Sequence, residues 1–132
     1  MTEISNYFNP IIMDHLKNPR NKGEMENPDG IGESQNPVCG DIMRLFIKVE
    51  GGRIADATFL SFGCSAAIAS SSLTTEIIKG KTIEEVLLIS DKDISEALGG
   101  LPPSKKHCSM LAENAIKAAV KDYWKRKENI NK

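Results

Sequence analysis

The stretch from Asp41 to Phe62 constrains the fold more than any other part of the chain. From Asp41 to Glu50, Met43, Leu45, Ile47 and Val49 fall on one face of an extended segment. Arg44, Lys48 and Glu50 fall on the other, joined by Ile42 and Phe46. Gly51-Gly52 is a two-residue hairpin signal, and Arg53 to Phe62 returns as a second strand. If Glu50 pairs with Arg53, paired residue numbers sum to 103 and Cys39 falls opposite Cys64. Directly opposed residues have Cβ atoms only ~5 Å apart, close enough to share one metal centre. The same register puts Cys39, Asp41 and Cys64 on the apolar side of the hairpin, at its open end. A bulge would shift all of these assignments.

The remaining elements fit around this hairpin. Phe8, Ile11, Ile12 and Leu16 recur at helical spacing, and Asn18-Pro19 stops that helix. Residues 18–37 hold Pro19, Gly23, Pro28, Gly30, Gly32 and Pro37 and form a loop, with at most a short edge strand, placed over the active face. A helix is expected from about Ala66 to Lys79, with Ala66, Ala69, Leu73 and Ile77 as its stripe and Gly80 ending it. Ser70-Ser71-Ser72 within it is a small-residue packing face whose hydroxyls bond locally. Thr82-Ile83-Glu84-Glu85 is a capping box for a helix through about Ile89. Asp91 or Asp93 opens another, which Gly99-Gly100 ends. Leu101-Pro102-Pro103-Ser104-Lys105 is a rigid lead-in to a final helix from about His107 to Lys127, where Cys108, Leu111, Ala112, Ala115 and Ala119 share a stripe. Lys121, Lys125, Arg126 and Lys127 crowd its far end, either as cations complementing the helix terminus or as a patch for an acidic partner.

Composition narrows the class. A chain of 132 residues suits one domain over 1–132 with a real core. A net charge of −1 gives no reason to expect nucleic acid, and no apolar run approaches the ~20 residues that span a bilayer. Three cysteines are an odd count, and the opening has no apolar signal-peptide core. Reduced thiols in the cytoplasm follow, rather than a disulfide framework.

The chemistry rests on those cysteines. Spacing is uninformative: 24 residues separate Cys39 from Cys64, 43 separate Cys64 from Cys108, and no C-x-x-C pair is present. Context says more. Cys64 and Cys108 fall at expected helix N-termini, where partial positive charge lowers a thiol pKa, and Lys105, Lys106 and His107 add charge beside Cys108. Gly40 and Gly63 each abut a cysteine and leave room for something bulky. Asp41 lies two residues from Cys39 and either caps a turn or faces the same space. His15 is a satisfied surface histidine on the first helix. Three soft thiolates with one carboxylate or imidazole suit Zn²⁺ or an iron–sulfur cluster. A weak oxygen ligand favours temporary holding over redox service.

These residues resemble the IscU/NifU-type scaffold family of iron–sulfur cluster assembly over nearly the whole chain. Asp14-His15 with Asn18-Pro19-Arg20-Asn21 is similar to the family's opening. Asn36-Pro37-Val38-Cys39-Gly40-Asp41, Gly63-Cys64 with Ala67-Ile68-Ala69-Ser70-Ser71-Ser72, and His107-Cys108-Ser109 with Leu111 to Lys117 are similar to its three cysteine blocks. The resemblance implies an α+β fold: a small antiparallel sheet packed by several helices, the last one long. It implies a scaffold or carrier rather than an enzyme, with Cys39, Cys64 and Cys108 holding a transient [2Fe–2S] cluster and Asp41 or His107 as the exchangeable ligand. Zn²⁺ would occupy the cluster-free form. Sulfur would arrive as a persulfide from a cysteine desulfurase, with Cys108 as acceptor and Lys105 beside it, and the cluster would pass to apo iron–sulfur proteins.

Tyr7 stands where the family often has a tyrosine linked to self-association, so a monomer or weak homo-oligomer is expected. A DnaK-type chaperone and its J-protein would dock on Leu101–Lys105. Ser104 replaces the usual valine there, removing about 1–2 kcal/mol of apolar contact. The alternative is a zinc-dependent sulfurtransferase resembling SufU. Those relatives carry an insertion between the second and third cysteine blocks and lack the histidine, whereas this chain has a short connection and keeps His107. A purely structural zinc module would leave Asp41 and the basic neighbours of Cys108 unexplained.

Overall fold

A computed structural model of the chain describes residues 10–36, 40–63, 65–99 and 106–130, the side chains at 106–108 and 128–130 excepted. The expected hairpin is present as β2 (Ile42–Glu50) and β3 (Arg53–Phe62), turning at Gly51 and Gly52 with φ of +59° and +75°. Glu50↔Arg53 and Val49↔Ile54 keep the expected sum of 103. An irregularity between Lys48 and Val49 then shifts the ladder, so that pairs from Lys48↔Asp56 to Ile42↔Phe62 sum to 104. Ala55 is the extra residue. Continued one step beyond Ile42↔Phe62, the shifted register sets Asp41 opposite Gly63, while the expected opposition of Cys39 and Cys64 lies outside the described residues.

A third strand, β1 (Gly30–Gln35), pairs antiparallel with β2 at the sheet edge, in the order β1-β2-β3. Its glycines share the inner face with Leu45 and Ile47, and α5 (Lys106–Ile130) lies directly on them. A Cβ on Gly32 would overlap the Ala115 carbonyl and the Ala119 amide, and one on Gly30 would meet the Ala119 carbonyl. Absence of side chains lets helix backbone touch strand backbone, which is one reason for glycine inside a strand. The core is formed by Met43, Leu45, Ile47, Ala57 and Phe59 from the sheet, with Ala112, Ala115, Ile116, Ala119 and Val120 from α5. The α+β architecture expected from the sequence is the one observed. Among the described residues no helix is long and apolar enough to cross a membrane.

α1 (Pro10–Lys17) packs on α2 (Ser65–Ile78). The expected apolar stripe of α2 is too narrow: Leu73 and Ile77 are half-buried, while Ala66, Ala67, Ala69, Ser70, Ser71, Ser72, Thr74 and Thr75 are all buried. Of the three serine hydroxyls only that of Ser71 bonds locally as expected, donating to Ala67 O. Ser72 Oγ finds partners far along the chain, and Ser70 Oγ is buried with no hydrogen-bond partner among the described residues. It is Thr74 Oγ1 and Thr75 Oγ1 that donate to Ser70 O and Ser72 O. Gly80 follows the helix with φ +84°. The two short helices α3 (Ile83–Leu87) and α4 (Asp91–Ala97) both open on reciprocal capping boxes, Thr82 with Glu85 and Ser90 with Asp93. Ser90, rather than either aspartate, caps α4, because its hydroxyl is the group that reaches the Asp93 amide.

Two expectations for the opening of the chain are corrected. His15 is buried rather than at the surface: its Nδ1 is hydrogen-bonded to Ser72 Oγ at 2.8 Å, and Nε2 lies 3.5 Å from Glu76 Oε1. The Arg20 amide also donates to Ser72 Oγ, its guanidinium pairs with Asp14, and Asn21 Nδ2 donates to Thr75 Oγ1. The Asp14–Asn21 segment is thus a clamp on α2. The loop after it does not cover the active face. Lys22 bridges to Phe59, Lys48 Nζ donates to Asn27 O and the Asp29 amide to Ile47 O, so the segment runs toward the end of the sheet remote from Asp41.

Burial, the largest cause, lowers the His15 pKa from 6.5; Arg20 adds to this, while Glu76 and Asp14 oppose it. The unfolded chain therefore binds a proton at this site more readily than the folded one. Stability from His15 is complete above the unfolded value and is lost as pH falls through about 6.5 toward the lower folded value. Thermal unfolding followed from pH 8 to pH 5.5 should show that loss, and His15→Gln should flatten it. An equal slope in both proteins would contradict the assignment.

Candidate metal centre

Asp41 and Gly63 mark the site. Asp41 continues the inward parity of Met43, Leu45 and Ile47 and is only 5% exposed. Its side chain lies against the Gly63 backbone: a Cβ on Gly63 would sit 2.5 Å from Asp41 Oδ1 and 2.6 Å from Cγ. The carboxylate is thus held on the inner side of the sheet's end, beside the position that leads into α2. Buried carboxylates persist only with polar partners, and Asp41 is not without them. The turn before it is closed by backbone bonds, Gly40 N–H donating to Asn36 O (2.7 Å) and Asn36 N–H to Asp41 O (2.9 Å).

The two glycines beside the cysteine positions turn out to serve different ends. Gly40 has φ +77° and open space where a Cβ would be, so conformation requires glycine there. Gly63 is not left-handed; the room it leaves is filled by Asp41.

Two helix N-termini come to the same end of the sheet. α2 begins at Ser65, three residues past the end of β3. α5 runs antiparallel to β1, since Gly30 faces Ala119 and Tyr123 while Gly32 faces Ala115 and Ala119. Four further strand residues, from Gly32 to Asn36, advance about 13 Å, a length that about nine helical residues cover. That carries the level of the Asn36–Asp41 turn back along α5 to its first turn, at Lys106–Ser109. The partial positive charges of both helix starts favour anionic groups at this rim.

Among the expected ligands, Asp41 is described, while Cys39, Cys64 and the side chains of His107 and Cys108 lie outside the described residues, as do Tyr7 and Leu101 to Lys105. Among the described residues no group of three or more His, Cys, Asp or Glu is placed to hold a metal ion. The donor set that flanks Asp41 in sequence, three thiolates with a carboxylate or imidazole, suits iron or zinc. Phe62, 66% exposed and paired with Ile42, and Met110, 50% exposed on α5, are apolar side chains near this end that sequence reasoning did not single out. Only their neighbourhood to the cysteine blocks could have drawn attention to them.

Fold and rim together define a small α+β domain with a buried carboxylate, Asp41, at the end of a three-stranded sheet where α2 begins. The chain belongs to the NifU-like N-terminal domain family, whose profile matches residues 7–130. It is 53% identical over 121 residues to "Iron-sulfur cluster assembly scaffold protein IscU 1" of Archaeoglobus fulgidus, covering 92% of this chain and 79% of the relative. It is 55% identical over 120 residues to the Azotobacter vinelandii scaffold protein IscU, covering 88% and 93%. Among solved structures, a protein from Fervidobacterium islandicum named as an iron–sulfur cluster assembly scaffold for the SUF system superposes with a TM-score of 0.71 at 25% identity, covering 86% of this chain and 96% of that one. A NifU-like N-terminal protein from Brucella abortus shares the fold, with a TM-score of 0.68 at 18% identity and coverage of 96% and 98%.

Proposed function

We propose that this chain is a scaffold on which an iron–sulfur cluster is assembled and from which it passes to apo-proteins. The observation that carries the reading is the Asp41 carboxylate, held at a sheet end where two helix N-termini also come, in a chain more than half identical to named scaffold proteins. The cluster is cargo rather than a resident group. Its sulfur ligands are Cys39, Cys64 and Cys108, and Asp41 or His107 completes the set.

Sulfur comes from a cysteine desulfurase. The Cys108 thiolate attacks the outer sulfur of the donor's persulfide; a new S–S bond forms on Cys108 Sγ, the donor's S–S bond breaks, and the donor leaves as a thiolate. Helix α5's N-terminus and the charges of Lys105 and Lys106 favour the Cys108 anion this step needs. Persulfide sulfur must then gain two electrons to become sulfide, so an electron donor is part of the reaction. A set of four donors would suit a [2Fe–2S] unit, two to each iron, and Zn²⁺ would suit the same donors in the cluster-free protein. The Asp41 oxygen is harder than the thiolates, so it is the ligand that exchanges first when an acceptor's cysteine arrives. A DnaK-type chaperone and J-protein acting on Leu101–Lys105 would bind weakly because of Ser104.

Anaerobic reconstitution with iron, cysteine, a desulfurase and dithiothreitol tests this. Visible charge-transfer absorption should appear and then decay as apo-ferredoxin is added. Persistent zinc with no chromophore, and sulfur found only on a cysteine, would replace the scaffold with a zinc-dependent persulfide relay.

A further inference from the structure

We infer that Gly63 is a positioning residue for Asp41, keeping open the seat in which the carboxylate lies. The inference deepens the scaffold reading and rests on it for its consequence, though not for its geometry. Three observations carry it. Past the bulge, paired residues sum to 104 as far as Ile42↔Phe62, and the same register continued one step beyond the strands sets Asp41 opposite Gly63. The three atoms nearest to a Cβ built on Gly63 are Oδ1, Cγ and Cβ of Asp41, at 2.5, 2.6 and 3.0 Å. Gly63 itself is not in the left-handed region, so its backbone accepts any residue and only space demands glycine.

Gly32 differs from Gly63 in what an added Cβ would meet. There an added Cβ meets helix backbone, which cannot move without the fold moving. At Gly63 it meets one side chain, that of Asp41, which can rotate away at the cost of its present contacts where helix backbone cannot. A substitution at 63 therefore leaves the fold in place and moves the carboxylate out of its seat. Asp41 would then no longer hold its oxygen on the inner side of the sheet's end, and the variant should behave as though Asp41 were missing.

Gly63→Ala, Asp41→Ala and the double variant, compared with the unaltered protein, test this. In the metal-free protein the Asp41 carboxyl ¹³C resonance should move in Gly63→Ala. After reconstitution, both single variants should lengthen cluster half-life in the presence of apo-ferredoxin by on the order of tenfold, the same change in both. The double variant should match either single one, because both remove the same interaction. Any fall in melting temperature caused by Gly63→Ala should vanish when Asp41→Ala removes the competing side chain. An unmoved Asp41 resonance, or a double variant whose effects multiply, would overturn the inference; the second would mean that Gly63 acts through neighbouring Cys64. A shifted resonance in a protein that takes up no cluster would leave the seat standing and count against the scaffold reading alone.

Discussion

Asp41→Ala is expected to hold its cluster longer than the unaltered protein, by on the order of tenfold, equivalent to ~1.4 kcal/mol on the barrier to release. The reason is chemical hardness. In the proposed set three thiolates would bind iron strongly, and a carboxylate as fourth donor would be the weakest. Without it, the position opened by Asp41 is no longer the route by which an acceptor's thiolate enters. The measurement is the decay of visible absorption on adding apo-ferredoxin, with uptake of the cluster by the acceptor followed in parallel. A cluster that forms normally in the variant but disappears faster would assign Asp41 a retaining role and refute this account of exchange.

Gly32→Ala carries the largest expected effect on the fold. The added Cβ would overlap the Ala115 carbonyl and the Ala119 amide and come within 2.9 Å of the Ala118 carbonyl carbon, all rigid helix backbone. α5 must lift from β1, breaking contacts of Ala115, Ala119 and Ile47 in the core. Overpacking of this kind costs about 3 kcal/mol, the upper end of its usual range. For a domain of this size the melting temperature should fall by roughly 10 °C. Glu33→Ala, one residue along the strand and exposed, is the control and should change little. A Gly32→Ala protein as stable as the unaltered one would show that α5 does not lie on the sheet as described. Because α5 also brings its first turn to the rim, the same variant should weaken metal uptake.

Much of this was legible in the sequence. Alternation from Met43 to Val49 and the Gly51-Gly52 turn define the hairpin before any coordinates. The capping residues Thr82 and Glu85 define a helix start. The bulge was harder to see: Ile54, Ala57 and Phe59 are buried at spacings of three and then two, but Ala55 is small enough to suit either face. One small residue thus changed the partner of Asp41 to Gly63. Gly30 and Gly32 looked like loop residues because glycine most often marks turns. Their real cause, a helix arriving from more than eighty residues later in the chain, has no local trace. His15 was misplaced for the same reason. Its polar partners, Ser72 and Glu76, belong to a helix that only the tertiary fold brings near. Ser72 alone joins the serine run to the Asp14–Asn21 segment, its hydroxyl meeting both the His15 ring and the Arg20 amide. At the candidate site, sequence supplied residue types and the family, while the described residues supply Asp41's burial, its seat on Gly63 and the shared level of two helix starts.

The central claim is that sulfur atoms distant in sequence meet at one rim with a donor that exchanges easily. X-ray absorption on the zinc-loaded protein tests it most directly. The account predicts three sulfur scatterers at about 2.3 Å and one oxygen or nitrogen at about 2.0 Å, with one sulfur lost on changing any of Cys39, Cys64 or Cys108 to serine. Fewer than three sulfurs in the unaltered protein, or a sulfur count indifferent to one of those changes, would contradict it.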